Sequence, residues 1–179
     1  MQTPEETPSR GMRIRPAQES DVSRVLSIYR HYVRSTLVTF DEQPPTLRHY
    51  RRKAMHLVEA GFPFLVIEDE SGIVQGFARV QPFRPKSAFR HTVELSIYLA
   101  PDQTGRGHGA ALLDRLLQDC QSAGFREMVA VISDANPEAS LALHQRRGFV
   151  EVGRMPHVGR KFNQLIGIII LQKSLHHDA

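Results

Sequence analysis

A short glycine-rich segment carries the clearest chemistry in this sequence. Residues 104–110 read Thr-Gly-Arg-Gly-His-Gly-Ala and lie between a predicted strand and a predicted amphipathic helix. Glycines allow neighbouring backbone N–H groups to converge, and the start of the helix adds the positive end of its dipole. Together these features favour a phosphate-binding site, although a plain flexible turn has the same composition.

The identity of the phosphate ligand stays open at this level. The spacing Gly105-x-Gly107-x-x-Ala110 also fits the dinucleotide fingerprint, and Glu127 lies about 20 residues beyond it. In a Rossmann unit, however, the acidic residue usually ends the next strand, whereas Glu127 begins it. A Walker loop is excluded because no Gly-Lys-Ser or Gly-Lys-Thr follows.

Three further side chains have types that could take part in catalysis. Glu94 lies in a predicted strand over residues 91–99, on the polar face opposite Val93 and Leu95. A solvated carboxylate is the simplest interpretation of that position, and a structural histidine is the simplest for His144, in a short predicted helix. Cys120 falls on the apolar stripe of the helix after the glycine segment, which predicts an inert core thiol and argues against a cysteine acyl-enzyme.

Composition limits the class of protein. A chain of 179 residues, 41% hydrophobic and 23% charged, fits one globular domain. The single cysteine cannot form an internal disulfide and indicates a reducing compartment. The N-terminal residues lack the apolar run of a signal peptide. The apolar run over residues 165–171 is too short for a membrane span. We therefore expect a cytoplasmic protein without a membrane partner. No His-Glu-x-x-His or Cys-x-x-Cys occurs, so we expect no metal and assign no metal role to His176, His177 and Asp178.

The net charge of +4 arises from 23 Lys and Arg against 19 Asp and Glu. The densest basic run is Arg51, Arg52 and Lys53, in a predicted surface helix. We interpret this run as a solvated face and expect no nucleic-acid partner.

The elements that must position these residues follow from hydrophobic periodicity. Residues 1–11 are predicted to be a disordered tail, residues 12–175 one domain, and residues 176–179 a polar tail. The predicted order is β, α, α, β, β, β, α, β, α, β, β, with the last two strands at 149–156 and 165–172. Asn136 is predicted to be an N-cap, with Pro137 in the first helical position. The order predicts an α/β protein with a mixed sheet and helices on both faces.

Several separated motifs together resemble the GNAT superfamily of acetyltransferases. The pattern is a strand, the glycine segment, a long helix, a strand, and then Asn136-x-x-x-Ser140-x-x-Leu143-His144-x-x-x-Gly148-Phe149. Within that superfamily the chain is similar to the phosphinothricin and methionine sulfoximine acetyltransferases over residues 12–175. The segments that carry this similarity include Ile14-Arg15-Pro16-Ala17, His31-Tyr32-Val33, Thr39-Phe40, Pro82-Phe83-Arg84, His91-Thr92-Val93-Glu94 and Ser96-Ile97-Tyr98-Leu99.

The resemblance implies a GNAT fold, with about seven strands flanked by helices, and a role for each matching residue. Glu94 would be the general base, and His144 would lie beside the sulfur of acetyl-CoA. Asn136 and Ser140 would hold the CoA arm. The remaining cofactor contacts would come from the backbone of Ile97, Tyr98 and Leu99 and from the phosphate loop of Thr104, Gly105, Arg106, Gly107, His108, Gly109 and Ala110. The substrate contacts would come from Phe40, Arg84 and Lys86.

The resemblance also implies an N-acetyltransferase that transfers acetyl directly from acetyl-CoA to a small-molecule amine. A substrate ammonium must lose a proton before it attacks, and a carboxylate can accept that proton. The leaving thiol has a pKa near 8.5, as for free cysteine, so it needs little acid assistance. We therefore expect Glu94 to matter more than His144.

The expected acceptor is the α-amine of an amino-acid analogue of the phosphinothricin, methionine sulfoximine or sulfone type, and the expected assembly is a homodimer. The alternatives are another amine (a polyamine, an aminoglycoside or a protein N-terminus) and a CoA-sensing or nucleic-acid-binding module without catalysis.

The sequence departs from these relatives at two places. Thr104 stands where the nucleotide loop usually begins with Gln or Arg. Near the C-terminus the relatives carry a pattern like Lys-x-Gly-x-Trp-x-Asp, whereas this chain reads Lys-Phe-Asn-Gln-Leu-Ile-Gly over residues 161–167. The second change removes an aromatic and a carboxylate that would shape the substrate pocket or a subunit contact.

Overall fold

The computed structural model describes residues 11–176, so most of both predicted tails lies outside the described residues. The predicted order of strands and helices is confirmed. The strands are β1 Arg13–Pro16, β2 Phe64–Glu68, β3 Val74–Pro82, β4 Thr92–Leu99, β5 Glu127–Ser133, β6 Val150–Lys161 and β7 Gln164–Ser174. The helices are α1 Val22–Ser35, α2 Leu47–Glu59, α3 His108–Ser122 and α4 Glu138–Gln145.

These strands form one mixed sheet in the order β1-β2-β3-β4-β5-β7-β6. Only the β4–β5 pair is parallel, and the other neighbours run antiparallel. The predicted fold class, a mixed α/β sheet with helices on both faces, is confirmed.

Each face of the sheet has its own apolar core. On one face α3 packs its buried stripe, which includes Leu112, Leu116 and Cys120, against the central strands. On the other face α1 and α2 pack against residues such as Val66 and Phe77. Cys120 is fully buried, and burial raises the pKa of its thiol to about 12, which confirms the predicted inert core thiol.

Strand β4 shows the predicted alternation. Val93 and Leu95 are buried on the α3 face, whereas Tyr98 packs on the α1 face. Glu94 shares the face of Tyr98 because side chains two residues apart in a strand point the same way. The base candidate therefore points away from α3, toward the side covered by α1 and α2.

The parallel neighbours β4 and β5 separate partway along their length. The two strands pair over only three residue pairs, from Thr92 with Glu127 to Glu94 with Val129. Beyond that point β4 continues beside β3 as far as Leu99, and β5 continues beside β7 as far as Ser133. A gap thus opens within the sheet, and one edge of β4 past Glu94 faces it instead of a neighbouring strand.

Two local predictions are wrong. Asn136 is not the N-cap of α4: its φ is 54°, in the left-handed region that asparagine tolerates better than most residues, and Pro137 occupies the cap position before Glu138. The last two strands are longer than predicted. In β6, register shifts between Glu151 and Gly153 and between Met155 and Gly159 interrupt the alternation of side chains, so the sequence pattern does not show the full length of the strand.

The β6–β7 hairpin turns at two residues. Phe162 and Asn163 both have positive φ, 49° and 59°, as a tight turn between twisted antiparallel strands requires. Between residues 11 and 176, none of the helices combines the length and apolarity that a membrane span needs.

Candidate active site

A cleft of about 460 Å³ lies where β4 and β5 diverge. Both strands line it, through residues 94–98 of β4 and 130–133 of β5. The α1–α2 loop closes one side with residues 38–41, and α4 closes another with Ser140 and His144. The gap in the sheet is therefore the floor of a cavity whose walls come from distant parts of the chain.

The structure brings most of the predicted site residues together at this cleft. The lining includes Phe40, Arg84, Glu94, Ile97, Tyr98, Asn136, Ser140 and His144. Lys86, Leu99 and the loop 104–110 are not part of the wall. Lys86 is exposed on the same connection as Arg84, and its contact with substrate stays a prediction.

Glu94 is half-buried and lies directly opposite Gln81 in the β3–β4 ladder. Burial raises the pKa of its carboxyl group. The charge of Arg84, a hydrogen bond from Gln81 and the charges of Lys53 and Arg79 oppose that rise without cancelling it. The result is a carboxylate with more affinity for a proton than a solvated glutamate has, which suits a base.

His144 is buried with one ring nitrogen fixed and the other unused. Its Nδ1 lies 2.7 Å from the Ser140 carbonyl oxygen, and since a carbonyl can only accept, Nδ1 carries the proton. Its Nε2 is buried without a hydrogen-bond partner among residues 11–176. Burial lowers the pKa of the ring, so His144 is a neutral imidazole whose Nε2 can only accept a proton.

The glycine segment has the geometry of an anion cradle. Gly105 and Gly107 have φ of 72° and 81°, and no atom lies within 4 Å of where a Cβ would stand at either residue. Gly107 immediately precedes α3, whose first amides have no partner one turn back. Residues 104–107 are exposed, so open space and a helix N-terminus coincide there, and the backbone N–H groups of such a loop suit a diphosphate.

His108 contributes differently from its neighbours in that loop. Its side chain is 1% exposed, and burial followed by the charge of Arg106 lowers its pKa. The imidazole is therefore an uncharged part of the interior, and only the backbone of His108 is available to a ligand in the loop.

Sequence reasoning missed several residues at the cleft. Lys53, Arg79, Gln81 and Asp41 all line it. The interpretation of residues 51–53 as a solvated face is therefore incomplete: all three are exposed, but Lys53 also borders the cleft. No spacing rule links α2 to β3, so no signal in the sequence could have paired these residues.

Lys161 is a further residue that the sequence did not single out for the cleft. It is 1% exposed, and its Nζ donates a 2.8 Å hydrogen bond to the carbonyl oxygen of Thr39. Thr39 Oγ1 lies 3.0 Å from the Tyr29 hydroxyl, which donates to Asp41. The end of β6 thereby fixes the α1–α2 loop at the point where it lines the cleft.

Comparison with known proteins agrees with this geometry. The model of the acetyltransferase (GNAT) family matches residues 25–149. The chain belongs to this family. The predicted superfamily and enzyme class, an N-acetyltransferase, are thereby confirmed.

Similar proteins carry related names. The L-amino acid N-acyltransferase MnaT of Escherichia coli is 40% identical over 92% of this chain and 94% of its own length. The L-methionine sulfoximine/L-methionine sulfone acetyltransferase of Pseudomonas aeruginosa is 37% identical over 90% of this chain and 94% of its own. A phosphinothricin acetyltransferase from Sinorhizobium meliloti, solved with acetyl-CoA, superposes with a TM-score of 0.88 at 36% identity, over 92% of this chain and 88% of that one.

Proposed function

We propose that this chain transfers the acetyl group of acetyl-CoA to the α-amine of a small amino acid of the phosphinothricin, methionine sulfoximine or methionine sulfone type. The observation that carries this proposal is the cleft itself. A half-buried carboxylate, Glu94, lies at the point where the sheet opens, in a cleft that the cationic Arg84 also borders. The names of the similar proteins, which act on L-amino acids and their analogues, support the choice of acceptor.

The cofactor would lie along the gap between β4 and β5. The amides of residues 105–110 would hold the pyrophosphate, and the backbone of residues 97–99 would pair with the pantetheine arm. Asn136 and Ser140 border the cleft from the opposite side and would fix that arm. Bound acetyl-CoA would supply the thioester, and N–H groups of the β4 edge would donate to its carbonyl oxygen.

Glu94 would remove the proton from the acceptor ammonium. A zwitterionic amino acid enters with a positive nitrogen that cannot attack until it is neutral. The raised pKa of Glu94 brings its proton affinity closer to that of the amine than a solvated glutamate allows. Arg84, at the mouth of the cleft, would bind an acidic group of the acceptor, and Phe40 would cover its carbon chain.

His144 would take a secondary part. Its single ring proton is committed to the Ser140 carbonyl, so Nε2 has no proton to give to a departing thiolate. A thiolate leaves readily without an acid. His144 therefore shapes the wall of the cleft and offers an acceptor there, which agrees with the expectation that Glu94 matters more.

The predicted homodimer stays a prediction. The edge strand β6, the turn after it and the start of β7 expose several apolar side chains, which would suit a second copy. These are Val150, Val152, Met155, Val158, Phe162 and Leu165.

A thiol-release assay with acetyl-CoA and a panel of amines tests the proposed function. The panel contains phosphinothricin, methionine sulfone and methionine sulfoximine beside spermidine, an aminoglycoside and a short peptide. We expect release with the amino acids and values of kcat/KM for the other amines that are lower by at least about tenfold, equivalent to about 1.4 kcal/mol. Release with the polyamine and none with the amino acids would overturn the assignment.

A further inference from the structure

Two cations at the cleft have no role in the proposed chemistry. Lys53 comes from α2 and Arg79 from β3, and both border the same cavity as Glu94. Among residues 11–176, no carboxylate lies within ion-pair distance of either side chain. A cation that faces a cavity and is not ion-paired with a carboxylate is available to an anionic ligand.

Arg79 is held in place but is not fully satisfied. Its guanidinium lies over the ring of Tyr50, with Cζ 5.4 Å from the ring centroid. Its Nη1 is shielded from solvent and has no hydrogen-bond partner in the described part of the chain. Leaving a charged donor desolvated and unpaired is costly, so an anion that reaches the guanidinium from the cleft would offset part of that cost.

The strand register places Arg79 close to the catalytic carboxylate. Arg79 lies opposite Ser96, and Gln81 lies opposite Glu94, so Arg79 and Glu94 are diagonal neighbours on one face of the sheet. Lys53 approaches that face from α2, with part of its side chain exposed to solvent. Burial of the remainder lowers the pKa of its amine, and the charge of Arg79 lowers it further. Two positive charges that disfavour each other across a cavity are stabilised by an anion between them.

The charges that border the cleft indicate how many anionic groups the ligand carries. The cations are Lys53, Arg79 and Arg84, and the carboxylates are Asp41 and Glu94. If Glu94 meets the acceptor ammonium, three cations remain against the one carboxylate of Asp41. The difference of two positive charges matches an acceptor with two acidic groups.

We propose that Lys53 and Arg79 form an anion subsite that binds a second acidic group of the acceptor, so that the enzyme selects amino acids with an acidic side chain over neutral ones of the same shape. This inference rests on the proposed function. Arg84 takes one acidic group, and the fork of Arg79 together with the point charge of Lys53 takes the other.

A matched pair of acceptors tests the subsite. Phosphinothricin ends in an anionic methylphosphinate, and methionine sulfone ends in a neutral methylsulfonyl group of nearly the same shape. Charge-assisted hydrogen bonds predict a kcat/KM for phosphinothricin about 10- to 100-fold above that for methionine sulfone. Arg79→Gln and Lys53→Gln should each shrink this ratio, mainly through a higher KM for phosphinothricin.

Arg52→Gln is the control, because Arg52 is the exposed neighbour of Lys53 on α2 and does not border the cleft. It should keep the wild-type ratio. Equal kcat/KM values for the two acceptors in the wild-type enzyme would overturn the subsite and leave the proposed function standing. Release with spermidine and with neither amino acid would overturn both. The wild-type comparison decides the question even if a variant folds poorly.

Discussion

Replacing Gly107 with leucine should separate what the glycine segment does for folding from what it does for binding. Gly107 has a φ of 81°, and a side chain in that conformation costs about 1–2 kcal/mol. No atom lies within 4 Å of the new Cβ, so no clash adds to this cost. For a domain of this size we expect the melting temperature to fall by about 2–8 °C.

Gly124 provides a matched control at the other end of the same helix. Its φ is 85°, and a Cβ there also meets nothing within 4 Å. Gly124→Leu should therefore lose about the same stability, yet it lies far along the chain from the cradle, beyond the last residue of α3. The two variants differ only in whether the added side chain stands in the open space above the loop.

The measurement is the dissociation constant of acetyl-CoA by titration calorimetry, beside thermal unfolding. Each charge-assisted hydrogen bond lost between the pyrophosphate and an amide weakens binding by about 1.5–3 kcal/mol. We expect Gly107→Leu to raise the dissociation constant at least about tenfold and Gly124→Leu to leave it unchanged. Unchanged affinity in Gly107→Leu, with both variants equally destabilised, would refute the assignment of the cradle.

Three other substitutions at or beside the cleft have expected outcomes. Glu94→Gln should lower kcat by about 10²-fold or more, and His144→Ala should cost less in the same assay. Because burial raises the pKa of Glu94 above 4.5, wild-type kcat should fall as the pH drops through that raised value, and a rate–pH profile of Glu94→Gln should lack this limb. The ionised carboxylate is disfavoured in the folded state, so Glu94→Gln should also melt higher at pH 7. Lys161→Met leaves the Thr39 carbonyl without its donor. This variant should raise the KM of the acceptor about tenfold and leave the KM of acetyl-CoA unchanged. Equal rises in both KM values would instead indicate a general loss of structure.

Much of the architecture follows from local patterns of residue types, which is why it can be predicted from the sequence. The alternation along β4 fixes which residues face α3, and the glycines before α3 mark the start of that helix. The position of Glu94 on the face opposite Val93 follows from the same rule. Alternation cannot show that other elements cover this face. Glu94, which alternation alone places in solvent, is therefore found half-buried in a cleft.

The remainder depends on contacts between distant residues or on unusual backbone. Lys161 and Thr39 are 122 positions apart, and only the folded chain joins them. Lys53 and Arg79 border the same cleft because the fold brings α2 over β3, where Arg79 lies against Tyr50, and no spacing in either segment reveals this. Asn136 looks like a helix cap by residue type, but its left-handed φ turns the chain before the helix begins. Sequence patterns predict helices and strands, whereas the walls of the cleft are built from tertiary contacts between them.

The divergence of β4 from β5 has a consequence for how the protein avoids aggregation. Most sheets keep their unpaired edges at the rim, where another chain can add a strand. This sheet also has an edge in its interior, from residue 95 onward, which the α1–α2 loop and α4 flank. A slender chain such as pantetheine, whose branches are only small methyl and hydroxyl groups, would fit along that edge, whereas a polypeptide strand would meet the flanking walls. If the cofactor binds along this edge as proposed, the cleft admits it and excludes the strand that an open β-edge would otherwise recruit.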